Sequence, residues 1–232
     1  MSLSQPIRLV LFDIDGTLLS AGNSGLTALE TAAKDVLDIK DGLTGISVNG
    51  NTDRKVIAAM CRREERVFPN ESDLERFRLR YLEVLRKEIA TMGHLMPGVK
   101  RLVDTLAGNN NTRLGLVTGN FRSGAYVKLE RFGLGQLFPF GGFGDDIHQS
   151  RADLVKLAME RAVDYHKVAI LPAMTIVIGD TVHDVNSCAP NRVRCLAVAT
   201  GSTSVAELNE AGADLTLNDL KETEMVLDWI LQ

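Results

Sequence analysis

The stretch that decides the fold is residues 7–19, which read IRLVLFDIDGTLL. Leu9 to Phe12, with Ile7 before them, form a short run of mostly branched apolar residues, as expected of a strand that is buried on both faces of a parallel sheet. Two acids, Asp13 and Asp15, follow this run, and Gly16 and Thr17 come directly afterwards. Burying an ionised carboxylate without a partner is strongly unfavourable. Two acids at the end of a buried strand therefore predict a bound cation.

Local geometry lets both acids act on one site. On an extended chain Asp13 and Asp15 point to the same side, and Gly16 permits a sharp turn just after them. A side-chain oxygen of Asp13 and a main-chain oxygen near Asp15 can then share one Mg²⁺, a hard cation that prefers carboxylates, waters and phosphate oxygens. The alternative is structural, because Asp-Gly is also a common turn pair of hairpins.

From Val99 onward, predicted helices and strands alternate, which indicates an α/β fold with a doubly wound, Rossmann-like parallel sheet. Further strands are predicted over residues 113–118, 174–179, 194–199 and 214–217. Ligands of such sheets gather beyond the carboxyl ends of the strands. We therefore expect the polar residues that end the first strand and the strands 113–118 and 174–179 to form one site.

Residues 21–95 have a different character. Helices are predicted over 25–37, from 52 or 53 onward and over 71–92, with Ser24 as the cap of the first, and no strand is legible between Gly22 and Gly93. We expect a small helical cap domain at 21–95, inserted into a core domain formed by 1–20 and 96–232. Its position directly after the two acids suits a lid that excludes water from the site.

Thr118, Gly119 and Asn120 follow an apolar strand. A hydroxyl and free main-chain N–H groups at such a point suit a phosphate oxygen, and the missing side chain of Gly119 lets a ligand approach the backbone. Thr118 is the candidate phosphate contact, with Gly119 and Asn120 as candidate substrate contacts. The same residues also fit an ordinary strand-to-helix loop in which Asn120 forms a turn.

Residues 179–184, GDTVHD, follow another apolar strand. Asp180 is suited to bind the cation, and Asp184 to bind it as a second ligand or to accept hydrogen bonds behind it. Asp184 is also what the first turn of a helix favours, because an acid there interacts well with the helix dipole. Both roles are compatible. We expect His183, between the two acids, to be a bystander.

Several carboxylates and a phosphate repel one another, and one divalent cation neutralises only part of that charge. A basic side chain is therefore needed. Arg151 is the candidate, because arginine is permanently charged and forms a fork to a phosphate or to Asp13. Lys156 is the reserve candidate, but it stands more than one turn into a predicted helix, where lysine is more often solvent-facing.

These motifs resemble those of the haloacid dehalogenase superfamily, over essentially the whole chain. The opening signature of that superfamily, Asp-x-Asp-Gly-Thr after a hydrophobic strand, stands at residues 13–17; the Thr or Ser of its second motif is Thr118; and its fourth, Gly-Asp-x-x-x-Asp, stands at 179–184. The third motif is a Lys or Arg that often precedes Pro. Here Arg151 is present without the proline.

The resemblance implies a set of roles. Asp13 would be the nucleophile that forms an aspartyl-phosphate, and Asp15 the general acid and base. Thr118 and Arg151 would hold the transferred phosphoryl group. The Mg²⁺ ligands would come from Asp13, Asp15, Asp180 and Asp184.

A helical insertion between the first and second motifs resembles the phosphoglycolate phosphatase-like branch. The segment 50–53, Gly-Asn-Thr-Asp, is similar to a Gly-x-Thr-Asp segment of that branch, in which Thr52 and Asp53 would face the substrate. Alternatively, Thr52 or Asp53 caps a helix.

The resemblance implies Mg²⁺-dependent hydrolysis of a small phosphate monoester, either phosphoglycolate-like or a sugar phosphate. The rival enzyme is a phosphosugar mutase of the β-phosphoglucomutase type, which uses the same acids. A non-catalytic regulatory protein on this scaffold is a third reading. It would be expected to lack one of Asp13, Asp15 or Asp180, and all three are present.

Composition narrows the remaining classes. A formal charge of −4 over 232 residues gives no electrostatic footprint for nucleic acid. No apolar run reaches membrane-spanning length and no signal peptide is legible, so we expect a cytoplasmic protein without a membrane partner. Cys61, Cys188 and Cys195 form no Cys-x-x-Cys pair and are expected to be buried. The expected partner is a small phosphorylated metabolite, and the expected state a monomer or homodimer.

Overall fold

The computed structural model describes residues 6–146 and 150–232 of the chain. The strands of these residues are β1 (Arg8–Phe12), β2 (Leu19–Ser20), β3 (His94–Leu95), β4 (Thr112–Val117), β5 (Gly141–Gly142), β6 (Thr175–Gly179), β7 (Arg194–Val198) and β8 (Leu215–Leu217). The helices are α1 (Ser24–Leu37), α2 (Asp53–Arg63), α3 (Glu71–Met92), α4 (Val99–Ala107), α5 (Arg122–Glu130), α6 (Arg151–His166), α7 (Val182–Asn191), α8 (Val205–Glu210) and α9 (Thr223–Leu231).

Six strands form one parallel sheet in the order β5-β4-β1-β6-β7-β8. Strand β1 lies between β4 and β6, so its backbone is paired on both sides. Its side chains alternate between two cores: Leu9 and Leu11 pack into one, and Val10 and Phe12 into the other. Burial on both faces explains why β1 is apolar from Leu9 to Phe12 rather than alternating with polar residues.

Helices cover both faces of the sheet. Helix α6 contributes Leu154 and Ala158 to the core that contains Leu9, whereas α4 and α9 contribute Leu102 and Val226 to the opposite core. The predicted doubly wound α/β fold is therefore confirmed, as is the predicted burial of the three cysteines.

The interval between β2 and β3 contains α1, α2 and α3 and no strand, as the sequence indicated. Strands β2 and β3 pair antiparallel, with Leu19 opposite Leu95, so the chain leaves for the helical interval and returns at adjacent positions. Domain boundaries at 20/21 and 95/96 remain a prediction. Residues 1–5 of the predicted core lie outside the described residues.

The structure differs from the sequence-based expectations in two places. Ser24 does not cap α1: the helix already includes it, Asn23 is the N-cap residue, and the buried Ser24 hydroxyl has no hydrogen-bond partner among the described residues. The short strands β2, β3 and β5 were not predicted.

Within the described residues, no helix is both long enough and apolar enough to cross a bilayer. The longest, α3, has 22 residues but carries charged side chains along most of its length.

Candidate active site

Three neighbouring strands deliver polar residues to one edge of the sheet. Phe12, the last residue of β1, is in register with Leu116 of β4 and Ile178 of β6. Asp13 follows at once, and its main-chain N–H donates to the carbonyl of Ile178 at 2.9 Å. Because parallel strands end at the same edge, Thr118 and Asp180 come to either side of Asp13.

Asp13, Asp180 and Asp184 form a buried carboxylate cluster. One oxygen from each lies within 4.8 Å of the others. The Asp180 carboxylate accepts a hydrogen bond from the Thr17 hydroxyl at 3.1 Å. The Asp184 carboxylate accepts from the Thr181 hydroxyl at 2.7 Å, as part of the capping box that begins α7. Asp184 thus serves the helix end and the cluster at the same time.

Arg151, at the start of α6, bridges two members of this cluster. Its Nη2 lies 2.7 Å from Oδ1 of Asp13 and 2.7 Å from Oδ1 of Asp184, and its Nε donates to Asp184 at 2.8 Å. The Arg151 side chain is 8% exposed. Burial lowers its pKa, but the two carboxylates raise it by more, so the guanidinium stays charged. Lys156, the reserve candidate, is exposed on α6.

The cluster holds more negative charge than Arg151 balances. Burial, followed by repulsion from Asp13 and Asp184, raises the pKa of Asp180 to about 8. Burial also raises the pKa of Asp13 to about 6, against the opposing effect of Arg151. Both shifts mean that the ionised carboxylates lack compensation in the protein alone.

This arrangement fits a hard divalent cation. The donors are carboxylate oxygens that lie within 4.8 Å of one another, close enough to bind one ion. The basic side chains around them do not balance their negative charge, as the raised pKa of Asp180 indicates. Two glycines make room for the Asp180 carboxylate: a Cβ on Gly16 would lie 2.3 Å from Asp180 Oδ2, and one on Gly201 would lie 1.8 Å from it, so a side chain at either position would clash.

Asp15 belongs to a second group of side chains beside the cluster. Its Oδ2 accepts from Nδ2 of Asn120 at 2.8 Å and from Nζ of Lys128 at 2.6 Å. Lys128 also donates to Oδ1 of Asn120 at 2.6 Å, and Asn120 donates to the Thr118 hydroxyl at 2.7 Å. The Lys128 side chain is 4% exposed. A buried ammonium therefore joins Asp15 to the loop after β4.

Thr52 and Asp53 take different roles at the start of α2. Thr52 is the N-cap residue, and its hydroxyl accepts from the main-chain N–H of Lys55 at 3.3 Å. Asp53 is buried and fastens α2 to the loop after β4: its N–H donates to the Gly119 carbonyl at 2.8 Å, and its carboxylate accepts from the Phe121 N–H at 2.7 Å. Burial raises the pKa of Asp53 to about 6, and Lys128 opposes the shift.

A cavity of about 310 Å³ joins these groups. The sheet edge supplies Asp13, Asp15, Thr118, Gly119, Asn120, Arg151 and Asp180, and the helical interval supplies Asn49, Gly50, Asn51, Asp53, Val56 and Tyr81. The two sides touch directly, since Asn49 donates to the Ser202 hydroxyl at 3.1 Å and Gly50 packs against His183. The volume suits a small-molecule ligand.

The structure brings most of the residues singled out from the sequence to one cavity. Thr52 and Asp184 do not line it; Asp184 lies behind Asp13, next to Arg151. Lys128 was missed. The sequence offered one indication. Lys128 stands four residues after Gly124 and three after Ala125, the spacing that places residues on one face of a helix, and both are buried in α5.

Comparisons with known proteins agree with this geometry. Residues 10–198 match the family model of haloacid dehalogenase-like hydrolases. The N-acetylmuramic acid 6-phosphate phosphatase of Pseudomonas putida is 24% identical over 225 residues, which cover 96% of each chain.

Solved structures share the fold over nearly the whole chain. A Haemophilus somnus protein predicted to be a phosphoglycolate phosphatase superposes with a TM-score of 0.68 at 17% identity, covering 97% of this chain and 99% of the other. A Thermotoga maritima protein proposed to be a β-phosphoglucomutase gives 0.65 at 21% identity, covering 96% and 99%.

The fold is of the α/β class, and the match over residues 10–198 shows that the chain belongs to the haloacid dehalogenase-like hydrolase family. Curated relatives in that family are named as phosphatases, in support of the predicted phosphoric monoester hydrolase.

Proposed function

We propose that the protein is a Mg²⁺-dependent phosphatase that hydrolyses a small phosphate monoester through an aspartyl-phosphate at Asp13. The observation that carries this proposal is the convergence of Asp13, Asp180 and Asp184 within 4.8 Å beside Arg151. Mg²⁺, held by Asp13, Asp180 and the main chain near Asp15 with Asp184 behind, would supply positive charge to the phosphoryl oxygens.

The residues of the site have separate roles in the hydrolysis of the phosphate ester. An oxygen of Asp13 forms a bond to phosphorus while the bond from phosphorus to the leaving oxygen breaks, and Asp15 gives its proton to that oxygen. Asp15 then takes a proton from water, whose oxygen attacks phosphorus and releases Asp13. Thr118, the Gly119 backbone and Arg151 would stabilise the phosphoryl oxygens.

We also propose that residues 21–95 act as a cap domain. The contacts of Asn49 with Ser202 and of Asp53 with Gly119 support this role, because they close the cavity from the side opposite the sheet. Asp53 and Asn120 would face the substrate. Thr52 would serve as the helix cap.

The similarity to N-acetylmuramic acid 6-phosphate phosphatase and the cavity of about 310 Å³ support a sugar phosphate or a smaller phosphorylated acid as substrate. A phosphosugar mutase is the second candidate, and the fold shared with the Thermotoga maritima protein supports it. Both reactions use Asp13 and Asp15.

The test is a panel of phosphorylated metabolites assayed with Mg²⁺ for inorganic phosphate and for isomeric products. We expect phosphate release by the wild type, loss upon chelation with EDTA, and recovery when Mg²⁺ is restored. Asp13→Asn should lower kcat by roughly 10⁴-fold or more and keep a cooperative thermal transition. Release of phosphate by Asp13→Asn at the parental rate would contradict the mechanism. Isomer formation without phosphate release would establish the mutase.

A further inference from the structure

Asp15 is held by two buried donors that meet at one of its oxygens. Nζ of Lys128 lies 2.6 Å and Nδ2 of Asn120 2.8 Å from Oδ2. Among the described residues, Oδ1 of Asp15 has no hydrogen-bond partner. An oxygen that accepts from an ammonium and from an amide is a poor place for a proton, because both donors already point at its lone pairs.

Lys128 has a second hydrogen-bond partner besides Asp15. Lys128 stands on α5, and its ammonium donates at 2.6 Å to Oδ1, the side-chain amide oxygen of Asn120. The side-chain amide of Asn120 donates in turn to the Thr118 hydroxyl. The side chain of Asp15 is 42% exposed, whereas that of Lys128 is 4% exposed. The buried member of the pair is thus fixed by the fold, and it determines where the more accessible member lies.

We propose that Lys128 is a positioning residue for the proton transfers of Asp15. It reserves Oδ2 as an acceptor and so leaves Oδ1 as the oxygen that carries the proton to the leaving group and takes one from water. In the transfer the O–H bond at Oδ1 of Asp15 breaks and its proton goes to the departing oxygen, while Lys128 keeps all of its protons. This inference rests on the proposed phosphatase function and assigns Lys128 a role within it.

The test depends on the basicity of the leaving group. A 4-nitrophenolate leaves without being protonated, whereas an alkoxide needs the proton of Asp15. The substrates are therefore 4-nitrophenyl phosphate and the alkyl phosphate that the wild type hydrolyses fastest. The rate to measure is that of leaving-group release in a single turnover, because the later attack of water also uses Asp15 and is common to both substrates. In this first step Lys128→Met should slow release of the alcohol from the alkyl phosphate about 10²-fold and leave release of 4-nitrophenolate within about threefold. Lys100→Met, an exposed lysine on α4, is the matched control and should leave both unchanged.

A double-mutant cycle separates positioning from a general structural effect. In the Asp15→Ala background, Lys128→Met should not lower the rate with the alkyl phosphate any further, because the carboxylate that Lys128 positions is absent. Equal slowing of leaving-group release from both substrates, or the same slowing by Lys128→Met in the Asp15→Ala background as in the wild type, would overturn the inference.

Two further measurements keep the test decisive. If Lys128→Met does not fold, Asn120→Ser removes the other donor to the same oxygen and should show the same dependence on the leaving group, with a smaller loss. Absence of that dependence in a folded Asn120→Ser would count against the proposal. If the wild type releases no phosphate from any substrate, the proposed function fails. Phosphate release by the wild type, together with equal slowing of leaving-group release from both substrates in Lys128→Met, would refute only the role of Lys128.

Discussion

Nη2 of Arg151 lies 2.7 Å from Oδ1 of Asp13, so a buried guanidinium contacts the carboxylate that directly follows the central strand β1. The same guanidinium binds Asp184. This contact positions Asp13 and partly balances a crowded group of acids. Four consequences of the structure can be measured.

The first concerns the charge of Arg151. Arg151→Met should lower kcat/KM by about 10²-fold or more, because it removes a donor near the developing charge, and should destabilise the fold by about 3–5 kcal/mol, because it leaves buried carboxylates unpaired. Steady-state kinetics and urea unfolding measure the two effects. Lys156→Met, on the same helix but exposed, is the control. Unchanged kinetics in a folded Arg151→Met would exclude a role in the phosphate site.

The second concerns pH in the metal-free protein. The folded-state pKa values of Asp180, about 8, and Asp13, about 6, lie above the ordinary value of 3.8. Between these limits the unfolded chain loses protons that the folded chain keeps, so stability should fall as pH rises from about 4 to about 8. Calorimetry in EDTA over this pH range measures the decrease in stability, and Asp180→Asn should make that decrease smaller.

Mg²⁺ should reverse that trend, because binding requires the ionised carboxylates. We therefore expect Mg²⁺ to raise Tm more at pH 8 than at pH 6. The same increase at both pH values would contradict the assignment of Asp180 to the metal.

The third contrasts two neighbours at the start of α2. Thr52→Ala should cost about 1 kcal/mol of stability, as loss of a helix cap does, with kcat and KM unchanged. Asp53→Ala should cost about 1–3 kcal/mol, because the buried Phe121 N–H loses its acceptor, and should also raise KM by loosening the Gly119 loop. Urea unfolding and kinetics on both variants provide the check. A rise in KM with Thr52→Ala as large as that with Asp53→Ala would contradict the assignment of Thr52 as a helix cap alone.

The fourth uses two glycines with positive φ. A Cβ on Gly98, at φ +83°, would lie 1.9 Å from the Leu220 carbonyl oxygen, whereas Gly133, at φ +69°, has no atom within 4 Å of that position among the described residues. Gly133→Ala should cost about 1 kcal/mol from backbone strain alone. Gly98→Ala should cost a further 1–3 kcal/mol, roughly, from overpacking. Equal urea midpoints for Gly98→Ala and Gly133→Ala would mean that the backbone near Leu220 moves to accommodate the added Cβ without loss of stability.

The sequence identified the fold and the family because both are expressed in long or strongly patterned segments. The run before Asp13 and the one before Asp180 are apolar enough to require burial on both faces of a sheet, and acids directly after such runs have few structural explanations. Parallel strands then place Asp13, Thr118 and Asp180 together without any knowledge of side-chain contacts.

Features that depend on tertiary contacts were not predictable in the same way. Strands β2 and β3 have two residues each, too few for a periodic pattern. They pair because the chain returns after α3 to a position beside the residues that precede α1. Lys128 was overlooked because a lysine is rarely buried unless it is paired, and its partner Asp15 is 113 residues away. Ser24 looked like a cap because its side chain suits one, yet the helix starts a residue earlier than the sequence suggested.

The pairing of Leu19 with Leu95 has an evolutionary consequence. A chain that departs and re-enters through adjacent residues presents its scaffold with a gap of only about 5 Å, whatever the intervening stretch contains. Helices in that stretch can be lengthened or exchanged for those of a relative without interrupting the sheet, as long as a contact equivalent to that of Asp53 still holds the Gly119 loop. Recombination at these two residues offers a route by which one reaction centre acquires new substrates.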